Sequence, residues 1–136
     1  MGDESLIVLD THALIWWLTG APNLSLVARQ TIAKAVEARQ VVVSAISVLE
    51  IVTAVRRGRL QFTHPVEQWL ADACQFPELR FEPVSAAMAQ LAGSFGEEMH
   101  GDPADRIIAA TAIHYDCGLV TADGKLHAVR ALKTVW

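Results

Sequence analysis

Four carboxylates stand where an ionised side chain is costly unless something compensates it. Asp10 ends the apolar run LIVL at residues 6–9, and Glu50 sits inside ISVLEIV at 46–52. Asp105 lies in the first turn of a helix opened by the turn-forming Gly101-Asp102-Pro103, and Asp123 lies just past GLVTA at 118–122. Carboxylates brought together repel one another, and burial raises their pKa values further, so four of them in an empty pocket take up protons. A divalent cation reverses that preference. Hard oxygen donors with room for water suit Mg²⁺ or Mn²⁺, whereas zinc recruits His or Cys at recognisable spacing. The chemistry such a pocket could carry is phosphodiester hydrolysis, in which one ion, or a pair roughly 3.5–4 Å apart, acidifies water and offsets charge on the attacking and leaving oxygens. Four carboxylates suit one ion or two. The helix start beneath Asp105 favours its ionised form by about 0.3–1 kcal/mol, too little to replace a metal.

Each acid also has a plainer use. Asp10 can cap the helix that follows it, and Asp123 in ADGK is good turn chemistry. Asp102 before proline is a turn or capping residue whose direct role stays open. Asp105 could form a surface bridge with Arg106. Glu50 resists the plain reading best, since ISVL and IVTAV offer few polar partners. Thr11 and Thr121 could bond the carboxylates, Arg106 could orient Asp105 or meet a phosphate, and His100 could touch phosphate or serve the turn. These are supporting positions.

For the acids to meet, several strand ends must reach one edge. LIVL, VVVS at 41–44 and GLVT at 118–121 read as strands buried on both faces, with weaker strands near LRFEPV and LKTV. Helices are expected from Thr11 through ALIWWL, with one of Trp16 and Trp17 in the core, and from Ser25 to about Arg39, with Leu26, Ile32, Ala33 and Val36 near one face. Further helices are expected from about Ala45 to Arg57, ended by Gly58, and from His64-Pro65 to about Phe76. The last two run from Ser85 to about Glu98 and from Pro103 to Tyr115. On the third helix Ile46, Glu50, Thr53 and Ala54 share a side. Strands alternating with helices imply an α/β fold, a mainly parallel sheet covered on both faces, whose ligands bind beyond the strands' carboxyl ends.

At 136 residues and 52% hydrophobic, residues 1–136 are expected to form one domain. No apolar run approaches the roughly 18 residues of a membrane span, and MGDES is acidic where a signal peptide is basic, so a cytoplasmic protein without a membrane partner is expected. Cys74 and Cys117 read as small buried apolar residues, without a disulfide. A net charge of −4 counts against a large basic nucleic-acid face. The bases do cluster, at Arg56, Arg57 and Arg59 and at Lys125, Arg130 and Lys133, as local positive surface or as solvated helix ends. A phosphate-receiving domain would need a second acid near Asp10 and an acceptor after VVVS. A DxD phosphatase would need an aspartate in place of His12, and there is no GxxxxGK loop.

Five segments in order, VLDTHALIWWL, SAISVLEI, RRGRL, HGDPADRIIAATA and LVTADGKL, make the chain resemble PIN-domain ribonucleases, and most closely the VapC-type toxins of bacterial toxin-antitoxin pairs. The resemblance covers nearly the whole chain and places the family's acidic quartet on Asp10, Glu50, Asp105 and Asp123. It implies a PIN-like α/β/α sandwich, Mg²⁺- or Mn²⁺-dependent endoribonuclease activity, homodimerisation and inhibition by a cognate antitoxin, whose arginine could compete with metal for the acids. Where such toxins often carry a large aromatic in the DPxD turn, this chain has Ala104, which alters packing but removes no acid. The alternative is a noncatalytic PIN-like module that binds RNA or protein. The RNA target is not legible.

Overall fold

A computed structural model describes residues 6–99 and 101–136. Strands β1 (Ile7–Leu9), β2 (Val41–Ser44), β3 (Leu79–Glu82), β4 (Gly118–Val120) and β5 (Thr134–Val135) form one parallel sheet in the order β3-β2-β1-β4-β5. The three central strands are apolar without alternation because both of their faces are covered. Val8 pairs with Val42 on one side and Leu119 on the other, and the pleat sends all three to the same face. Ile7, Leu9, Val41 and Val43 face the opposite way.

Helices α1 (Thr11–Thr19) and α2 (Leu26–Glu37) cover the first core, supplying Ala13, Leu14, Ile15, Ala28, Ile32 and Ala35. Helix α3 (Ile46–Arg56) adds Ile51, and α4 (Val66–Cys74) leans Trp69 and Leu70 against the same core. Helices α6 (Pro103–His114) and α7 (Gly124–His127) cover the second face with Ile108, Ala109, Ala112 and Leu126, and α5 (Ala86–Ser94) packs along α6.

Several expectations are corrected. On α2 the inward residues are Ala28, Ile32 and Ala35, while Leu26 is 69% exposed and Ala33 faces solvent. Ile32 and Val36 do lie against the first core as expected, and Ser25 caps the helix at Ala28 N–H. Both Trp16 and Trp17 are half-buried against the first core. Cys74 is exposed at the end of α4; Cys117 is buried, and burial pushes its thiol up to about 11. Helix α5 stops at Ser94 because Phe95 turns extended. The four-residue α7 was not foreseen. His100 and residues 1–5 lie outside the described residues.

Order and connectivity create the site. From β1 the chain steps through β2 to β3 on one side, then returns to place β4 on the other side of β1. The connections after β1 and β4 diverge, leaving the crevice where parallel sheets bind ligands. Asp10 N–H still bonds Val120 carbonyl at 3.1 Å, so the residues just past these strands begin side by side.

The end of α3 is the tightest turn near that crevice. Gly58 sits at φ 72°, its N–H bonding Val55 carbonyl while Arg59 N–H bonds Ala54 carbonyl, the paired closure that favours glycine. A Cβ at Gly58 would meet nothing within 4 Å, so the cost of Gly58→Ala is backbone strain alone. Urea denaturation of this variant is expected to show a loss of about 1 kcal/mol, and no loss would contradict the left-handed turn.

Candidate active site

Asp10 is 8% exposed, and its Oδ1 accepts from Ala13 N–H at 2.8 Å, which starts α1. Burial holds its carboxyl above the ordinary range; the Thr121 hydroxyl, Ala13 N–H and His12 pull it back down, and the negative charge of Asp123 raises it further. Asp123 caps α7 through Lys125 N–H at 2.8 Å, and its own N–H donates to Thr121 Oγ1 at 3.0 Å. Thr121 is thus a hinge between the two acids, bonded to each.

Glu50 comes from one helix turn into α3 and is half-buried. Desolvation raises its pKa, the Thr11 hydroxyl bond lowers it, Asp102 raises it, His12 lowers it and Asp10 raises it again. Thr11 donates to Glu50 Oε1 and lies 2.8 Å from Ser47 Oγ. Since the single Thr11 hydroxyl proton goes to Glu50, Ser47 is the donor to Thr11. A buried hydroxyl pair therefore runs from α3 through α1 and back to the Glu50 carboxylate. Ser47 escaped the sequence reading, although its place three residues before Glu50 puts it on the same side of the helix.

Asp102 and Asp105 arrive on the first turn of α6. Asp102 caps that helix at Ala104 N–H, 3.0 Å away, with Pro103 in the first turn where a missing N–H costs nothing. Arg106 holds this start in place by donating to the carbonyls of Ala92 and Phe95 at 3.1 and 3.0 Å, and of Gly96 and Met99 at 3.3 and 3.2 Å. It ties the helix that carries the acids to the loop before it.

Asp10, Glu50, Asp105 and Asp123 all line one cleft of about 330 Å³, together with Asp102, Thr11, His12, Trp16 and Ala122. Within it Glu50, Asp102 and Asp105 each present a carboxylate oxygen within 4.8 Å of the other two. Asp102, expected only in support, therefore stands with the acids themselves, and His12 and Trp16 are wall residues the sequence did not disclose. Three crowded carboxylates, with no histidine or cysteine among them and Asp102 open to solvent, make a donor set that fits a hard divalent cation.

The PIN domain family profile matches residues 7–132. The chain belongs to the PIN-domain family. This PIN domain is similar to "Ribonuclease VapC22" of Mycobacterium tuberculosis (strain ATCC 25618 / H37Rv), 35% identical over 96% of this chain and 98% of that protein. Among solved structures, VapBC2 from Rickettsia felis bound to a DNA fragment from its promoter has a similar fold, with a TM-score of 0.70 at 17% identity, covering 95% of this chain and 96% of that one. FitAcB from Neisseria gonorrhoeae gives a TM-score of 0.63 at 23% identity over 95% and 96%. A toxin-antitoxin complex from Klebsiella pneumoniae gives 0.61 at 22% identity over 93% and 94%.

The raised Asp10 and Glu50 carboxyls fix the sign of a pH effect in this PIN domain. Their native pKa values exceed the unfolded ones, so between the two the native state binds more protons and metal-free stability rises as pH falls. Asp10→Asn keeps an oxygen for the Ala13 cap and removes the buried charge. In EDTA at pH 7 its melting temperature is expected to exceed that of the wild type by about 2–8 °C, the gap closing toward pH 4. An unchanged or lower melting temperature would show that burial does not strain this carboxylate. Arg106→Lys, which cannot address four carbonyls from one ammonium, is expected to cost about 1.5–3 kcal/mol in urea denaturation; a loss under 0.5 kcal/mol would remove the clamp.

Proposed function

We propose that this PIN-domain protein is a Mg²⁺- or Mn²⁺-dependent endoribonuclease and the toxin of a pair neutralised by a cognate antitoxin. The observation that carries the reading is the convergence of Asp10, Glu50, Asp102, Asp105 and Asp123 on one cleft in a chain 35% identical to a ribonuclease. The ion would be held by Glu50, Asp102 and Asp105, with Asp10 and Asp123 lining the same cleft. When bound, it supplies positive charge for the phosphate and acidifies water at neutral pH.

The protein's own part is positional. Thr11 and Ser47 fix the Glu50 carboxylate, so it does not swing when charge changes nearby. Ala13 N–H and Thr121 hold Asp10, leaving carboxylate lone pairs facing the cleft. The N-terminus of α6 lies beneath Asp105 and favours its ionised form. Low solvent access at Asp10 strengthens each electrostatic contact made there.

Supporting the antitoxin partner is the shared fold with a toxin-antitoxin complex from Klebsiella pneumoniae. An arginine from such a partner would find paired carboxylates to grip, competing with metal for the same oxygens. We place the protein in the cytoplasm as a homodimer of one-domain subunits; among the described residues no helix is long and apolar enough to cross a membrane.

The test is cleavage of unstructured RNA with Mn²⁺ or Mg²⁺, with EDTA, and by Asp105→Asn. Chelation is expected to abolish cleavage, and Asp105→Asn to lower it by at least about 100-fold, in the range typical for disturbing a metal site. Metal-independent cleavage, or full activity in the variant, would overturn the reading. RNA binding without turnover under every metal condition would favour a noncatalytic binding module.

A further inference from the structure

Beside the acidic cleft runs a second and larger cavity, about 540 Å³, between α1, α3 and the start of α6. The two are continuous: Thr11, His12, Trp16, Glu50 and Asp102 line both. Its floor is apolar, from Ile15 and Ile46 to Leu60, and its far end carries Arg57 and Arg59. Neither the acids' geometry nor the capping of α3 accounts for those two arginines together. A cation at a helix C-terminus is favoured by the macrodipole, which suffices for Arg57. Arg59 lies beyond the helix, folded back to the groove by the left-handed turn at Gly58. Both are exposed, and neither forms an ion pair among the described residues.

We propose that this groove is the track for single-stranded RNA flanking the scissile bond, with Arg57 and Arg59 binding backbone phosphates and Trp16, flanked by His12, offering a face to the adjacent base. The proposal rests on the ribonuclease reading and extends it by naming where the substrate lies. Three observations favour a polyanion with flat apolar bases over other occupants. The groove opens directly into the acidic cleft, so a strand cleaved there has a route out along it. Positive charge is confined to the end away from the acids, as is needed when a chain of net charge −4 must hold a polyanion. At the junction the Trp16 ring lies with its centroid 5.5 Å from that of His12 and 5.8 Å from that of Trp136, so it stands on a supporting ring rather than free. Aromatic faces of this kind hold unpaired bases without regard to sequence. Ala104, on the groove wall, leaves the space that a larger side chain would fill.

The experiment compares wild type, Arg57→Gln/Arg59→Gln, and a charge-matched control, Lys34→Gln/Arg130→Gln, in Mn²⁺-dependent cleavage of an unstructured 20-nucleotide RNA. A parallel measurement titrates that strand by anisotropy across salt concentrations, with every protein also carrying Asp105→Asn so that the strand stays intact. The paired groove variant is expected to raise KM and Kd about tenfold, with the loss concentrated there rather than in kcat. Its salt slope should be flatter by about 1.4, from two phosphate contacts at roughly 0.7 each. The control should match wild type. Ala104→Phe, which narrows the groove without touching a charge, should raise KM while leaving the salt slope as in wild type. If wild type cleaves and the groove variant keeps wild-type KM and salt slope, the track is elsewhere while the nuclease reading stands. If wild type neither cleaves nor binds RNA, both fall together. If the groove variant and Ala104→Phe instead lose only an acidic peptide, with RNA constants unchanged, the groove belongs to a protein partner and the proposal is overturned.

Discussion

The structure is arranged around the cost of holding like charges together out of water. Desolvation and mutual repulsion push Asp10 and Glu50 toward protonation. Among the described residues no lysine or arginine lines the cleft; its walls are the five acids, Thr11, His12, Trp16 and Ala122. Neutral donors fix Asp10 and Glu50: Ala13 N–H and Thr121 hold the first, and Thr11 holds the second. That choice keeps the cleft attractive to an external cation, because a resident ammonium or guanidinium would already occupy the oxygens.

Three of the five acids are also helix caps. Asp10, Asp102 and Asp123 each give an oxygen to the backbone N–H groups opening α1, α6 and α7. Capping and function are often weighed as rival explanations for an aspartate at a strand end; here one carboxylate can serve both. The cap uses one oxygen and locks the rotamer while the carboxylate still lines the cleft. Converging helix starts also bring partial positive charge to one place, which lowers the cost of the cluster without abolishing it. The parallel sheet makes this economical, since every strand-to-helix connection at its carboxyl edge must supply such a start.

What the sequence disclosed follows from the same physics. Asp10 and Asp123 were legible because the strands before them are buried on both faces and read as unbroken apolar runs. Glu50 was legible because its neighbours on α3 offered it nothing polar. Asp102 was underweighted because capping explains it locally, and a local explanation hides a tertiary one. Ser47 and His12 were invisible, since a lone serine or histidine has many ordinary uses and only the fold shows what lies opposite. The exposed Leu26 and Ala33 of α2 and the exposed Cys74 share a cause: residue type reports that a helix has an apolar side, while the partner it packs on decides which apolar residues are covered. The early end of α5 is tertiary as well, because the carbonyls released by its loop and last turn are gathered by Arg106 from the next helix.

Net charge, which argued most strongly against a nucleic-acid enzyme, turns out to be a poor guide to local field. The acids that dominate the cleft are those whose charge a bound cation would offset, so they contribute least to repulsion of a polyanion when the site is loaded. Arginines near the end of α3 lie on a surface that continues into that cleft, and the exposed Lys133–Asp116 pair cancels itself elsewhere. A polyanion therefore meets different signs of charge at different points along one path, first the basic rim and then the acids. Under the proposed reading, the second encounter would be repulsive until a cation binds, so substrate and metal would bind cooperatively without any change of fold. That coupling needs no moving part; it follows from placing five carboxylates beside a cationic groove.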